Sequence, residues 1–510
     1  MPDPHRHTGP VRRWLFAVTA FLVLGAVPAL ALSDGVPEQP SLDLVAQLER
    51  LQSLLTGAET APQSNAALIE AAGLAALVRP SDFATGQFAD LRPVQGRPAQ
   101  MTSFNMRLAL TLLSQAFGTE DNFAVLAAQT SPDMAAMVVA LGDATLADLR
   151  QAAGTGGTDA LLLTQPLIIM AGASLTLGPQ DVLHLSRGDG AFVVNFGHLQ
   201  INGGTIAGQG EANPAARSFV PFVTTTDAGT VAVQGGQISG LGFGDTLKFA
   251  GFAVMRSVLQ IPQRPTRIEN ADISGLMSLA ISGETNALLR GNRFHDMRGA
   301  SLTLSRTGGA RVLSNLFFGR MPTNAIRLEN GSAHGLIAGN IVLGGDRAGI
   351  AIRFDSPGAR VANNIVWGRD GGGITLNDAD CGQIYQNLII DNDQKGIEVR
   401  FSRSADLALN TIYSNDSAGI WISDQPEGAR TTLTGNVVGF NGAGIAGANT
   451  ALIVMDGNDF SDQYQQFLSG DLALQTATVA RNMTGQAPFT LVSGGQVATG
   501  AESETMTCTN

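Results

Sequence analysis

Asparagine recurs at a nearly fixed interval through the second half of this chain, each time just before an apolar stretch. The steps between successive members are 23, 25, 24, 23, 23, 26 and 22 residues. A second marker, a small residue followed by isoleucine, keeps the same spacing from Ala325-Ile326 to Gly444-Ile445. Two independent markers with the same spacing predict a solenoid built from stacked repeats. The asparagines are Asn292, Asn315, Asn340, Asn364, Asn387, Asn410, Asn436 and Asn458.

Few architectures have a repeat of this length. Leucine-rich repeats are similar in length, but this sequence does not carry their leucine-dense consensus. Three short strands per coil, joined by tight bends, suit the 61 glycines and the low charged content of 15%. The sequence therefore predicts an all-β solenoid, a right-handed parallel β-helix with coils about 4.8 Å apart. The repeated asparagines are expected to hydrogen-bond from coil to coil at one corner.

The N-terminus predicts export. Arg12 and Arg13 precede an apolar run that is followed by Ala29-Leu30-Ala31. A basic flank, a short apolar core and an Ala-x-Ala site are typical of a cleaved secretory signal, here residues 1–31. The alternative is an uncleaved anchor helix, for which the run is somewhat short. We therefore expect a periplasmic or secreted protein with no stable membrane span after signal removal.

Hydrophobic periodicity divides the remaining chain. Residues 34–155 carry Ala and Leu at helical spacing, including segments 101–117 and 131–153, and predict a small α-helical N-terminal domain. From 161 to 490 the period falls to two, which predicts the β-helix. Residues 491–510 are then a C-terminal tail.

The net charge of −12 has the wrong sign for nonspecific nucleic-acid binding, because a phosphate backbone requires a basic face. Local arginines can nevertheless bind an anionic ligand on an acidic protein. No nucleic-acid partner is expected.

No cofactor or metal is expected either. The two cysteines, Cys381 and Cys508, are too few for a disulfide framework, and no Cys/His spacing resembles a zinc site. Cys381 is expected to pack as a small apolar side chain, with a single bridge to Cys508 left open. The acidic turn around Asp378 and Asp380 has calcium-ligand chemistry, but such turns are usually only solvated.

Alternation within the Gly-Ile coils separates two sets of side chains. Counted from the isoleucine, positions one and three are apolar, as in Ile326 and Leu328, so they point into the coil. Positions two and four point outward and, because coils stack, form two columns with neighbours about 5 Å apart. Position two holds Arg327, Ala351, Thr375, Glu398 and Trp421. Position four holds Glu329, Arg353, Asn377, Arg400 and Ser423, with Ser305 expected one coil earlier.

These two columns have the chemistry that binds a sugar polymer. Arginine pairs with uronate carboxylates, amides and carboxylates bond hydroxyls, and tryptophan stacks on a pyranose face. Solenoid faces commonly bind extended ligands. The alternative is that Arg and Glu on neighbouring coils only neutralise each other as solvated pairs. The predicted substrate-binding residues are Arg327, Glu329, Asn377, Glu398 and Trp421.

Segments between Leu183 and Gly447, such as "RGDGAFVVNFGHLQINGGTI" and "GGITLNDADCGQIYQNLIIDN", resemble the periplasmic mannuronan C5-epimerases of alginate biosynthesis. The resemblance implies a signal-bearing parallel β-helix that converts mannuronate to guluronate within the polymer. That reaction removes H5 beside a carboxylate and returns a proton to the other face, so it needs a base, a donor and a neutralising cation.

The family's base lies in an Asp-Pro-His-Asp motif, and this chain departs from that motif. The coil in register reads "LTLSR" from Leu302 to Arg306 and contains neither His nor Asp. His295 and His334 both fall at turns or corners rather than in the outward columns, although Asp296 beside His295 makes that pair worth testing. The resemblance therefore carries over the scaffold and not the catalytic motif.

The sequence leaves three functions open. The first is an epimerase or lyase acting on an acidic exopolysaccharide; a lyase can use Lys or Arg as base, so Lys395, Arg353 and Arg400 are the catalytic candidates. The second is an inactive groove that binds or guards the polymer during export, with the helical domain docking onto periplasmic exopolysaccharide-secretion proteins. The third is a surface adhesin without sugar chemistry.

Overall fold

A computed structural model describes residues 42–57, 64–78, 96–107, 120–130, 134–157, 160–256, 264–482, 489–492, 498–499 and 508. Within them the chain forms a parallel β-solenoid, which confirms the predicted fold class. The predicted signal, residues 1–31, lies outside the described residues. No helix in the described ranges is both long and apolar enough to cross a lipid bilayer.

Each coil contributes one strand to each of three sheets, numbered here in the order in which the chain visits them. Sheet 1 contains β1 (Gln100–Asn105), β2 (Ala135–Thr145), β4 (Leu167–Ile169), β7 (Val193–Asn195), β10 (Val223–Thr226), β13 (Gly251–Met255), β16 (Ser278–Ser282), β19 (Leu302–Ser305), β22 (Ile326–Glu329), β25 (Ile350–Arg353), β28 (Ile374–Asn377), β31 (Lys395–Arg400), β34 (Ala418–Ser423), β37 (Ile445–Ala448) and β39 (Leu468–Gly470). 

The other two sheets complete each coil. Sheet 2 contains β5 (Ala173–Leu177), β8 (His198–Asn202), β11 (Thr230–Gln234), β14 (Arg267–Glu269), β17 (Leu288–Arg290), β20 (Arg311–Leu313), β23 (Leu336–Ala338), β26 (Arg360–Ala362), β29 (Gln383–Tyr385), β32 (Ala405–Ala408), β35 (Arg430–Thr434), β38 (Leu452–Asp456), β40 (Phe489–Val492) and β41 (Ala498–Thr499). Sheet 3 contains β3 (Ala160–Leu163), β6 (Val182–Ser186), β9 (Thr205–Gln209), β12 (Gln237–Ser239), β15 (Asp272–Ser274), β18 (Arg293–His295), β21 (Leu316–Phe318), β24 (Ile341–Leu343), β27 (Ile365–Trp367), β30 (Leu388–Ile390), β33 (Thr411–Tyr413) and β36 (Val437–Gly439).

The helices lie at the two ends of the described chain. They are α1 (Leu42–Thr56), α2 (Asn65–Ala71), α3 (Glu120–Ala127), α4 (Leu146–Ala153) and α5 (Thr476–Asn482), with 3₁₀ turns at Leu247–Phe249 and Ala473–Gln475.

The predicted asparagine ladder is present at the corner between sheets 2 and 3. Asn364 is typical: its Nδ2 donates to Asn387 Oδ1 at 2.9 Å and to Ile337 O at 3.0 Å, and its Oδ1 accepts from Asn340. The inner members of the ladder are fully buried. Each amide thus satisfies polar groups at a bend that has no room for water. A second, shorter ladder, not anticipated from the sequence, links Asn392, Asn415, Asn441 and Gln463.

The predicted N-terminal helices α1 and α2 form, and their apolar faces pack on the solenoid. Leu44, Leu48 and Leu51 of α1 share one buried cluster with Phe318 and Trp367 on the outer face of sheet 3. Burying an apolar helix face on an apolar sheet face removes both from water. That face of α1 therefore contacts this chain's own sheet.

Parts of two segments predicted to be helical are strands instead. Residues 100–105 form β1, and residues 135–145 form β2, which pairs in parallel register with β4 and β5 as part of the first coil. The end of the second segment is helical, as predicted, and forms α4, and residues 108–117 of the first segment lie outside the described residues. Alanine-rich composition suggested a helix, but alternate residues of β2 are buried in the coil, and tertiary packing overrides propensity. The domain limits drawn at 155 and 161 stay a prediction.

A glycine lets β2 pass from sheet 1 to sheet 2. Gly142 has φ +82°, and a Cβ at this position would lie 2.3 Å from Pro98 O. Only glycine fits this bend.

Cys381 and Cys508 form a disulfide, so the expectation that Cys381 packs as a small apolar residue is wrong. Cys381 lies in the turn between β28 and β29, and its Cα is 5.9 Å from that of Cys508. The bridge joins positions 127 residues apart and ties the end of the tail to the middle of the solenoid. Sequence spacing could not reveal this contact, because Cys508 lies outside the repeats that set the register of Cys381.

Candidate functional site

The two predicted columns exist on the outer face of sheet 1. Glu329 pairs with Arg353, Arg353 with Asn377, and Asn377 with Arg400 in continuous parallel register. Ser305 occupies the same column one coil earlier, as predicted. Inward-facing Ile and Leu on each strand are fully buried, which fixes the intervening polar side chains on the outside.

A groove of about 580 Å³ lies over the centre of this face. Its floor comes from strands β25, β28 and β31, and its wall comes from the loops that precede them. Arg353, Asn377, Lys395 and Glu398, all predicted site residues, line it. The wall residues, which the sequence analysis missed, include Asn324, Asp346, Arg347, Asp370 and Gln394.

Two guanidinium groups share one carboxylate on sheet 1, next to the groove. Arg353 donates to Glu329 Oε2 from Nε at 2.9 Å and from Nη2 at 2.7 Å, and Arg327 Nε lies 3.8 Å from the same oxygen. The exposed Arg347 is near enough to repel Arg327, and it makes no side-chain hydrogen bond or ion pair within the described part of the chain. This leaves a local excess of positive charge at Glu329, although the groove lining as a whole also contains the carboxylates of Asp346, Asp370 and Glu398.

The electrostatics of Arg327 reflect that excess. Burial of its guanidinium, reinforced by repulsion from Arg353 and Arg347, lowers its pKa, while Glu329 opposes the shift. Its Nη2 donates to Thr323 Oγ1 at 3.0 Å and to Asn324 Oδ1 at 3.2 Å, which holds it against the wall. An incoming anion would relieve this repulsion.

A buried arginine holds the wall in place. Arg369 is 0% exposed, and burial lowers its pKa to about 10. Its guanidinium donates to the carbonyl oxygens of Arg347 and Thr323, each at 2.8 Å, and to that of Gly344. One side chain therefore joins the loops on three successive coils, and it positions Arg347. Nothing in the sequence pattern distinguished it from the exposed arginines.

Lys395 and Glu398 pair inside the groove. Lys395 Nζ lies 2.8 Å from Glu398 Oε1 and 5.1 Å from the centre of the Trp421 ring. Trp421 is half-buried and packs against Ala418, Ala443 and Ala446, so it is less accessible than the sequence suggested, and it is not among the lining residues.

Arg400 also lies outside the groove lining. Its Nε donates to Asp424 Oδ2 at 2.9 Å on the following coil. Among the catalytic candidates, the structure therefore places Arg353 and Lys395 in the groove and Arg400 beside it.

The coil in register with the epimerase motif has buried side chains at both of its outward positions. Thr303 and Ser305, its two outward positions, are 1% and 3% exposed. This coil offers no titratable side chain to a ligand in the groove.

Neither candidate histidine reaches the groove. His295 lies on sheet 3, where its Nε2 is 2.9 Å from Asp272 Oδ1 and its Nδ1 is 3.1 Å from Asp296 Oδ2. Its ring stacks on Phe318. His334 sits in a turn with φ +55°. His334 is a turn residue, as predicted, whereas His295 is the last residue of strand β18 and is not in a turn.

Comparisons with known proteins agree on the fold. The family model described as periplasmic copper-binding protein (NosD) matches residues 254–399 and 356–471. The periplasmic alginate epimerase AlgG is 17% identical, with 74% of this chain and 94% of that chain covered at a TM-score of 0.59. The expected resemblance to mannuronan epimerases is confirmed, and at this identity it shows a shared fold. No curated protein matches the sequence.

Two further solved structures match more loosely. The A-module of the Azotobacter vinelandii mannuronan C-5 epimerase AlgE6 is 12% identical, covering 63% of this chain and 91% of that one at a TM-score of 0.37. PfbA, a surface adhesin of Streptococcus pneumoniae, is 14% identical, with 69% of this chain and 95% of that chain covered at a TM-score of 0.38.

The NosD description names copper, and within the described residues no cluster of His, Cys, Asp or Glu side chains is arranged to hold a metal ion. Both cysteines are oxidised. Copper sites in proteins are built from thiolate, thioether or imidazole donors.

Proposed function

We propose that this is an exported β-helix protein that binds an acidic, uronate-containing polysaccharide along the sheet 1 groove and processes it in the manner of a mannuronan C5-epimerase. The observation that carries the proposal is the arginine cluster in which Arg327 and Arg353 share the Glu329 carboxylate and Arg347 is near enough to repel Arg327. A guanidinium group matches a carboxylate in shape and charge, and a stack of coils offers such groups at regular intervals.

Several features support export and a polymeric ligand. The disulfide between Cys381 and Cys508 suits an oxidising compartment such as the periplasm. The groove runs across consecutive coils rather than into a closed pocket, which suits a linear chain. Its mixed lining, with Asn377 and Asp370 beside the cations, offers partners for sugar hydroxyls as well as for carboxylates.

The proposed chemistry begins with removal of H5. The arginine cluster neutralises the uronate carboxylate while negative charge develops on C5. In an epimerase a proton then returns to the opposite face; in a lyase the electrons expel the C4 oxygen and leave an unsaturated end. Lys395 is the candidate for proton transfer, because its Nζ lies in the groove, 2.8 Å from Glu398 Oε1; any lysine that acts as a base must first be neutral.

One observation favours a second function, a groove that binds or guards the polymer without changing it. The coil that would carry the family's base has only the buried Thr303 and Ser305 in its outward positions. In that case the partners would be periplasmic exopolysaccharide-secretion proteins, contacted through surfaces other than the buried face of α1.

Incubation of the purified protein with polymannuronate in D₂O separates the two. Loss of the H5 signal by proton NMR without absorbance from unsaturated ends identifies an epimerase, and absorbance from unsaturated ends identifies a lyase. Lys395→Met, which keeps the aliphatic stem against Trp421, should abolish either signal while leaving polymer binding. If the wild-type protein binds polymannuronate and gives neither signal, the processing proposal fails and the guarding function stands.

A further inference from the structure

Two exposed phenylalanines occupy strained positions at the edge of sheet 1. Phe354 and Phe401 directly follow the outward column, at the corner that leads to sheet 2, and both have left-handed backbones, with φ +56° and +49°. They are 47% and 46% exposed. The other coils place polar residues at this corner, namely Arg306, Asn330, Asp378, Asp424 and Asn449.

Asparagine and aspartate tolerate this conformation, and a bulky aromatic residue does not. Two coils therefore keep a residue that is unfavourable for the backbone and also exposes an apolar ring to water. The neighbouring coils make the same corner with better-suited residues, so the corner itself does not require a ring.

The guanidinium of the preceding arginine packs against each ring. Arg353 Cζ lies 4.7 Å from the Phe354 ring centre, and Arg400 Cζ lies 4.6 Å from that of Phe401. The two coils thus present the same pair, an aromatic ring beside an arginine. Arg353 also lines the groove, so the pair at Phe354 adjoins the arginine cluster directly.

The spacing between the pairs is fixed by the solenoid. The backbone amide of Phe354 bonds to Asn377 O, that of Asp378 to Arg400 O, and that of Phe401 to Ser423 O, so the corners advance one coil at a time. Phe354 and Phe401 are therefore two coils apart, roughly 10 Å along the axis. The coil between them has Asp378 at its corner and offers no ring.

We propose that Phe354 and Phe401 are two stacking platforms for alternate sugars of a uronate polymer that lies parallel to the solenoid axis. In an extended, diequatorially linked polysaccharide successive pyranose rings turn over, so the same ring face returns at every second sugar. One ring advances by about the rise of one coil. Platforms two coils apart would then meet equivalent faces, with Arg353 and Arg400 beside the carboxylates of those sugars.

This inference rests on the proposed polysaccharide-binding function, and it adds the direction of the chain, its spacing and two residues that hold it. The pairs lie on the side of sheet 1 opposite the loop wall. A polymer between them would be bounded by Arg347 on one side and by the two rings on the other.

The test uses Phe354→Asn and Phe401→Asn, singly and together. Asparagine is the residue that other coils use at this corner, so these variants should fold and should unfold at a temperature no lower than the wild type. Affinity is measured calorimetrically for oligomannuronates of two to eight sugars. Leu409→Asn is the matched control, because Leu409 is also exposed and left-handed, at φ +57°, but lies before the asparagine ladder.

For the wild type, affinity should rise steeply once the oligomer is long enough to reach both rings. Each single variant should weaken binding of long oligomers about tenfold, the double variant should remove the length dependence, and the control should change nothing. If the Asn variants bind long oligomers as tightly as the wild type, the inference is wrong while the proposed function stands. If the wild type binds no oligomannuronate, both are wrong.

Discussion

Glu329 Oε2 accepts two hydrogen bonds from the Arg353 guanidinium on the next coil and lies 3.8 Å from Arg327 Nε on its own strand. One nearly buried carboxylate oxygen therefore holds two guanidinium groups at the end of the groove. Arg347 adds a third without a carboxylate partner among the described residues. Two guanidinium groups thus share one carboxylate, a local shortage of negative charge that a ligand carboxylate can fill.

Glu329→Gln should make that shortage larger. The substitution keeps shape and removes charge, so Arg327 and Arg353 repel each other, and we expect the free energy of unfolding to fall by about 1–3 kcal/mol. Polymannuronate should then stabilise the variant more than it stabilises the wild type, because its carboxylates replace the lost one. Thermal unfolding with and without polymer measures both effects.

Glu269→Gln is the matched control for that prediction. It removes a buried carboxylate that Arg267 and Arg290 share on sheet 2, away from the groove, and it should lower the free energy of unfolding by a similar amount with no added response to polymer. An equal response of the two variants to polymer would contradict the account of the arginine cluster.

The asparagine ladder should be strongest at its centre. Asn364→Ala leaves buried partners on both neighbouring coils without hydrogen bonds and should cost about 2–4 kcal/mol. Asn458→Ala at the half-exposed end of the ladder, where water can replace the amide, should cost about 1 kcal/mol or less. Urea unfolding of both variants measures these costs. Similar losses in the free energy of unfolding would contradict the prediction, because burial would then not determine the cost.

His295 should make stability depend on pH. Burial lowers its pKa, but hydrogen bonds to Asp272 and Asp296 outweigh burial, so the pKa is raised from 6.5. The stabilisation is therefore fully present below pH 6.5 and is lost as the pH rises through the higher folded value. Each unit of difference in pKa contributes about 1.4 kcal/mol.

Denaturant unfolding between pH 5.5 and 8.5 measures that loss. His295→Gln should flatten the profile in this window, and His334→Gln, an exposed turn histidine, should leave it as in the wild type. A wild-type stability that does not fall as the pH rises above 6.5 would show that the pairing with Asp272 is absent in solution.

Repetition explains what could be predicted from the sequence. The spacing from Asn292 to Asn458 fixed the coil length, and alternation around Ile326 and Ile350 fixed which side chains face outward. Both signals recur on every coil, because each coil must bury the same positions against the last. The register of Glu329 with Arg353 followed from the same repetition.

Features that do not repeat from coil to coil could not be predicted from the sequence. The wall residues Asp346 and Arg347 lie in irregular loops, and the buried Arg369 that positions them looks like any exposed arginine in the sequence. The disulfide joins Cys381 to a residue 127 positions later, and no repeat links the two positions in the sequence. Strand β2 was missed because its alanine-rich composition suits a helix, whereas its conformation is decided by pairing with strands later in the chain.

The central claim is that the groove recognises a polymer through its carboxylates. The most direct measurement is a calorimetric titration of the wild type, Arg347→Ala and Arg353→Ala with polymannuronate and with a neutral polymer of the same linkage. Arg481→Ala, in α5 after the last coil, is the control. We predict salt-sensitive binding of the acidic polymer only, weakened about tenfold by each groove variant and unchanged in the control. Equal affinity for both polymers, or unchanged affinity in Arg347→Ala and Arg353→Ala, would contradict the claim.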